Sequence, residues 1–162
     1  MALSPKASLI AIGGLIAVIG AGSLLLRQQL ETPSVLKPGD ARVVAQGLKV
    51  YQAECAQCHG ADLKGEPNWQ KRLPDGSLPA PPHDDSGHTW HHPGEVLFNI
   101  TKYGVQHYAG ADYKSAMPKY EGKLSDAEIV AVLSYIKSTW PPRVKGMHNK
   151  VEEQAAQQKA AR

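Results

Sequence analysis

The sequence predicts an all-α domain. Two observations lead there: three segments carry helix start and stop signals, and no alternating strand pattern of any length competes with them. The first predicted helix opens at Asp40, an N-cap after Pro38-Gly39, and runs towards Cys55. Val43, Gly47 and Tyr51 fall on one of its faces at i, i+4 and i+8. The second opens near Pro93, a residue at home in a first helical turn, carries Val96, Leu97 and Ile100, and stops at Gly104. The third has the clearest start. Ser125 and Glu128 make a capping box, Leu124 and Ile129 fit the accompanying hydrophobic staple, and Ile129, Val132, Leu133 and Ile136 form the apolar face. It must end by Trp140, because Pro141-Pro142 cannot continue it.

The flanks differ from this middle. Ala7–Leu26 is a run of twenty uncharged, mostly apolar residues, about 30 Å of helix and so the thickness of a hydrocarbon core. A cleavable signal peptide is shorter and ends in a small-residue cleavage site; this run is too long and no clean A-x-A follows it, so residues 1–26 read as a cytoplasmic N-terminus and an uncleaved transmembrane anchor. Gly13, Ala17 and Ala21 put a small-residue ridge on that helix, a surface suited to close helix packing. Residues 27–39, polar and with two prolines, read as a linker, and residues 141–162 as a C-terminal tail with helical potential.

Charge is segmented in the same way. Residues 1–39 carry three Lys/Arg against one Glu, residues 40–140 ten against twelve acidic residues, and residues 141–162 five against two. The overall +3 therefore belongs to tether and tail. The mildly acidic middle has no basic stripe for nucleic acid.

Cys55 and Cys58 are the only cysteines. Two are too few for a disulfide framework, and zinc would want further thiolates or well-spaced histidines. Cys55-Ala-Gln-Cys58-His59 is instead the C-x-x-C-H haem-attachment signature. Two thiols at this spacing add across the two vinyl groups of one porphyrin edge, and the next imidazole is thereby held under the iron. A redox C-x-x-C needs a thioredoxin-like strand context and leaves His59 unexplained. The stretch from Gly60 to His92, rich in proline and glycine, makes sense inside a compact domain only around a large apolar ligand.

A sixth iron ligand would come from Met or His. Met1 lies across the expected membrane and Met147 beyond the Pro141-Pro142 break. Met117, in a polar loop and followed by Pro118, is the favoured candidate, with His83, His88, His91, His92 and His107 as rivals. Four histidines within ten residues invite a separate metal site, but no carboxylate or thiol pattern completes one, and they read as groups around the haem edge.

CAQCHG, the Met-Pro pair and a capped terminal helix ending in an aromatic resemble class I cytochrome c over residues 40–140. The resemblance implies a class I cytochrome c haem domain behind a single N-terminal transmembrane helix, with one covalent haem c and His59 and Met117 as axial ligands. It implies that the first and last helices of the domain cross at Gly47 and Tyr51, opposite Leu133, Tyr135 or Ile136. It also implies a proline carbonyl accepting from the ligand imidazole, with Pro82 favoured in the run Pro79-Ala80-Pro81-Pro82, and an indole N–H, that of Trp90, on a buried propionate. The long Pro- and His-rich loop 75–93 departs from the plain family pattern.

The expected function is electron transfer on the outer, periplasmic face of an inner membrane, between a reductase and an oxidase or photosynthetic reaction centre, with no small-molecule substrate. An integral cytochrome subunit of a membrane oxidase or dehydrogenase is the alternative, and a five-coordinate haem enzyme or sensor a third class. Lys6 on the inner side fits the positive-inside rule. Lys64, Lys114, Lys119 and Lys123 are the candidate docking charges.

Overall fold

Asp40 starts the folded helices as its side chain predicts. In the computed structural model, which describes residues 35–162, its carboxylate accepts from the N–H groups of Arg42 (3.0 Å) and Val43 (3.3 Å). These bonds hold its pKa below the ordinary carboxylate value. Helix α1 (Ala41–Val50) passes into a wider π-helical turn (Tyr51–Cys55) and then into the short α2 (Ala56–His59), which Gly60 ends at φ +79°. A 3₁₀ turn (Thr89–His91), α3 (Gly94–Tyr103) and the short α4 (Gln106–Ala109) follow. Pro93 is the N-cap of α3, and Gly104 ends it at φ +90°.

Helix α5 (Asp126–Thr139) carries the expected capping box: Glu128 N–H donates to Ser125 Oγ (3.3 Å) and Ser125 N–H to Glu128 Oε2 (2.8 Å). Ile129, Val132, Leu133 and Ile136 are all buried, each worth about 1.5–3 kcal/mol relative to exposure. Among the described residues there is no strand. The expected anchor 1–26 and all but the last residues of the expected linker lie outside the described part. Among the described residues, no helix is long and apolar enough to cross a membrane.

Helices α1 and α5 cross at Gly47. A Cβ there would fall on the carbonyl of Ala131 and within 2.8 Å of Tyr135 Cβ. Tyr135 was among the three expected opposite residues; Ala131 was not. Its small side chain and bare carbonyl are what the close approach requires.

At both ends more is packed than the sequence suggests. Leu36 is 4 % exposed, and Lys37 N–H donates to Ser134 Oγ of α5 (2.9 Å), so the packed domain begins before Asp40. After Trp140 caps α5, Pro141 and Pro142 open a further helix, α6 (Pro142–Ala160). The pair that stops one helix thus starts the next. Helix α6 buries Val144 and His148. It is tied to the start of α3 by Glu152 Oε2, which accepts from Gly94 N–H (3.1 Å), and by a Lys159–Glu95 ion pair (3.0 Å).

Candidate haem site

The π-helical turn and α2 present the attachment motif. Cys55 is half-buried and Cys58 is exposed, and neither is in a disulfide. Behind the motif, the buried hydroxyl of Tyr51 donates to the carbonyl of Gly60 (2.8 Å) and more weakly to that of His59 (3.4 Å). These bonds fix the turn that follows the histidine.

His59 is 7 % exposed. Its Nδ1 lies 2.9 Å from the carbonyl oxygen of Pro81. With Nδ1–H donating there, Nε2 keeps its lone pair, the arrangement that a ligating histidine requires. Burial lowers the His59 pKa, opposed by the Pro81 carbonyl and by Glu66.

The expectation for Pro82 is therefore corrected: the acceptor is Pro81. A Cβ on Gly87 would overlap the Pro82 carbonyl oxygen, and Thr89 Oγ1 donates to that same oxygen (3.4 Å). On the other side Gly65, at φ +66°, lies against the Ala80–Pro82 backbone; a Cβ there would come within 2.6 Å of Pro81 C. These two glycine contacts turn the Pro82 carbonyl towards Gly87 and leave that of Pro81 for His59.

Trp90 offers the fit test for the porphyrin. Its Nε1 is buried and has no hydrogen-bond partner among the described residues, and His91 stacks on the indole at 3.6 Å. A buried indole N–H normally has an acceptor. A haem carboxylate would satisfy it, and Cys55, Cys58 and a His59 whose Nε2 keeps its lone pair fit the same group.

Met117 is half-buried, and its N–H donates to Ser115 Oγ (3.2 Å). Three residues on, Tyr120 is 3 % exposed and its hydroxyl donates to the carbonyl of Glu54 (2.7 Å). The methionine segment is thereby tied to the residue before the first attachment cysteine. Backbone bonds from Tyr120 to Thr101 (3.2 Å) and Glu121 to Lys102 (2.9 Å) tie it to α3 as well.

The histidines separate by environment. His83 stacks face to face on His59 at 4.0 Å. A ring lying on the proximal imidazole cannot also bind from across the porphyrin, which removes His83 as the opposite ligand. His88 stacks on Trp69 (5.4 Å), and the His92 carbonyl binds His148 (3.1 Å). His88, His91 and His107 are exposed.

Sequence reasoning missed Tyr120 and Thr89, favoured the wrong residue of the run that holds Pro81, and read Trp140 only as the end of its helix. The loop from Gly60 to His92 is folded by long-range bonds: Gly65 N–H to His59 O (2.8 Å), Glu66 N–H to Ala80 O (2.9 Å), His83 N–H to Leu63 O (2.7 Å) and Trp140 Nε1–H to His83 O (2.7 Å).

No solved structure matches the chain. The family model described as Cytochrome c matches residues 44–140, from the first turn of α1 to the cap of α5. With Cys55, Cys58, the buried His59 and the orphaned indole donor all inside that span, the chain belongs to the cytochrome c family and carries a covalently attached haem c.

Proposed function

We propose that this protein is a membrane-tethered, single-haem electron carrier working between a reductase and an oxidase or photosynthetic reaction centre. Electron transfer by a c-type cytochrome follows from the family; the tether, the ligand pair and the partners are the proposal. When bound, haem c supplies a reversible one-electron change at its iron. His59 would hold the iron through Nε2, and Met117 through its thioether.

The observation that carries the reading is the Tyr120–Glu54 bond (2.7 Å), which fixes the Met117 segment to the attachment motif and so favours a held methionine over a mobile one. A filled ligand pair leaves no open position for substrate, so the chain's remaining task is to hold and expose the group. Met/His ligation also raises the potential relative to bis-His, which suits the high-potential end of a respiratory or photosynthetic chain. The apolar run Ala7–Leu26 supports an inner-membrane anchor, with the haem domain on the periplasmic side, where haem c is attached.

An optical spectrum tests the ligand pair. The ferric protein is expected to show the weak red-end band of Met–iron ligation, and Met117→Ala to lose it and gain carbon monoxide binding. An unchanged spectrum in the variant removes Met117. A native protein that already binds carbon monoxide would point to the five-coordinate enzyme or sensor.

A second reading, an integral cytochrome subunit of a membrane oxidoreductase complex, is favoured by the docking of Leu36 and Lys37 onto the domain. That docking shortens the chain left between the expected anchor and the domain. The candidate docking charges are partly engaged already: Lys64 pairs with Asp62 (3.5 Å) and Lys114 Nζ donates to Asp75 O (2.7 Å).

A further inference from the structure

His83 belongs to neither the attachment motif nor the proposed ligand pair, yet it touches the ligand histidine and is held through its backbone N–H, its carbonyl and its ring Nδ1. Its N–H donates to Leu63 O (2.7 Å), and its carbonyl accepts from Trp140 Nε1–H (2.7 Å). Its Nδ1 lies 2.8 Å from the hydroxyl of Thr89, itself buried and placed 3.4 Å from Pro82 O. Tyr51 approaches edge-on at 6.4 Å. The ring so fixed lies over that of His59 with centroids 4.0 Å apart and planes 25° from parallel. On the other side, the side-chain hydrogen bond of His59 among the described residues is that from Nδ1 to Pro81. One hydrogen bond through Nδ1 limits the tilt of an imidazole but leaves rotation about the axis through the donor; a flat neighbour on the ring face opposes that rotation.

We propose that His83 is a positioning residue for His59, its clamped ring setting the plane in which the ligand imidazole stands over the haem. The polar chain from Pro82 through Thr89 to His83 gives the 3₁₀ turn that carries Trp90 a mechanical link to the ligand. Ligand-plane orientation sets how the unpaired electron of a low-spin ferric haem is distributed over the porphyrin. The reading-out property is therefore magnetic, and it is independent of electron-transfer activity.

The inference rests on His59 as haem ligand, and the experiment separates the two. Ferric holoprotein is prepared as wild type, His83→Ala, His83→Phe and Thr89→Val, and each is examined by optical spectroscopy, electron paramagnetic resonance and proton NMR of the haem methyls. A low-spin optical spectrum in the wild type and variants reports that His59 still ligates; its absence in the wild type would overturn the ligand reading itself. With ligation intact, His83→Ala is expected to reorder the haem-methyl shifts and change the g-value anisotropy. His83→Phe, a flat ring of similar size, is expected to return both towards wild type, and Thr89→Val, which frees the His83 ring, to give an intermediate pattern. A purely structural role would lower thermal stability and leave the magnetic pattern as it was, and that result overturns the proposal. Should His83→Ala fail to incorporate haem, Thr89→Val decides, since an unmoved pattern there is equally fatal.

Discussion

The hydroxyl of Tyr120 donates to the backbone carbonyl of Glu54 across sixty-six positions of sequence, at 2.7 Å. It is the direct bond between the segment bearing Met117 and the residue before Cys55. Burial raises the pKa of the phenol, so it stays a donor over the whole working range of pH. Tyr120→Phe keeps the ring and deletes the bond. The expected cost is about 1 kcal/mol of stability, together with a weaker methionine–iron band and faster carbon monoxide binding, because the segment behind the ligand is loosened. Stability that falls with no change in ligand exchange would place the bond outside the control of Met117.

Gly47 should tolerate almost nothing larger than itself. An added Cβ would meet the Ala131 backbone, which no side-chain rotamer can move aside. Overpacking of this kind costs about 1–3 kcal/mol. Thermal denaturation of Gly47→Ala, and of Gly47→Leu as the harsher case, is expected to show a graded loss along with poorer haem incorporation. Wild-type stability in Gly47→Leu would mean that α1 and α5 can slide apart at no cost.

How legible this fold was depended on the range of each signal. Asp40, Ser125 with Glu128, and Gly104 act within a turn of themselves, so their types and spacing suffice, and each stands where it was expected. C-x-x-C-H is equally local, since covalent chemistry sets its spacing. Pro81 was not legible. Which carbonyl in a proline run faces His59 depends on Gly65 and Gly87, packed from both sides of the loop, and composition does not encode that geometry. The C-terminal helix was half legible. Pro142 suits a helical first turn, but the inward face of α6 carries His148 and Glu152, where a hydrophobic reading looks for apolar residues.

That polar face makes stability pH-dependent. His148 is fully buried. Its Nε2–H donates to His92 O (3.1 Å), and its Nδ1 has no partner among the described residues. Lys137 of α5 and Glu152 of α6 are the charged groups facing it, Glu152 at 3.9 Å, and the Trp140 ring packs at 5.1 Å. Burial, reinforced by Lys137 and opposed by Glu152 and the His92 carbonyl, lowers its pKa from 6.5 to about 4. The unfolded chain therefore binds a proton that the folded chain refuses. Stability is full above pH 6.5 and falls as pH drops towards 4, by at most about 1.4 kcal/mol per pH unit for one group. His83, His88 and His92, also lowered, act with the same sign. The measurement is consequently a difference: denaturant midpoints between pH 4 and 7 for wild type and His148→Phe. The variant is expected to have the flatter profile, and parallel profiles would assign the slope to the other histidines.

The last prediction concerns where the protein spends its time. With Leu36 buried and Lys37 bonded to Ser134, the chain between the expected anchor and the first docked residues shrinks from thirteen residues to the eight of 27–34. A flexible segment of that length spans about 16 Å root-mean-square, less than the roughly 26 Å breadth of a 100-residue domain. If the proposed anchor holds, a haem domain on so short a segment would sweep a patch of membrane little wider than itself, which suits transfer within one assembly better than a shuttle between distant ones. The Gly13, Ala17 and Ala21 ridge on the expected anchor adds a surface for packing against a neighbouring helix. On native electrophoresis in mild detergent, the haem stain is therefore expected to travel with a large respiratory or photosynthetic complex. Lengthening 27–34 with a Gly/Ser insert should leave that co-migration intact, because docking holds the domain there, while replacing the ridge residues with Leu should weaken it. If the haem runs only as a free monomer under conditions that keep the large complexes whole, the protein is not a resident of one assembly.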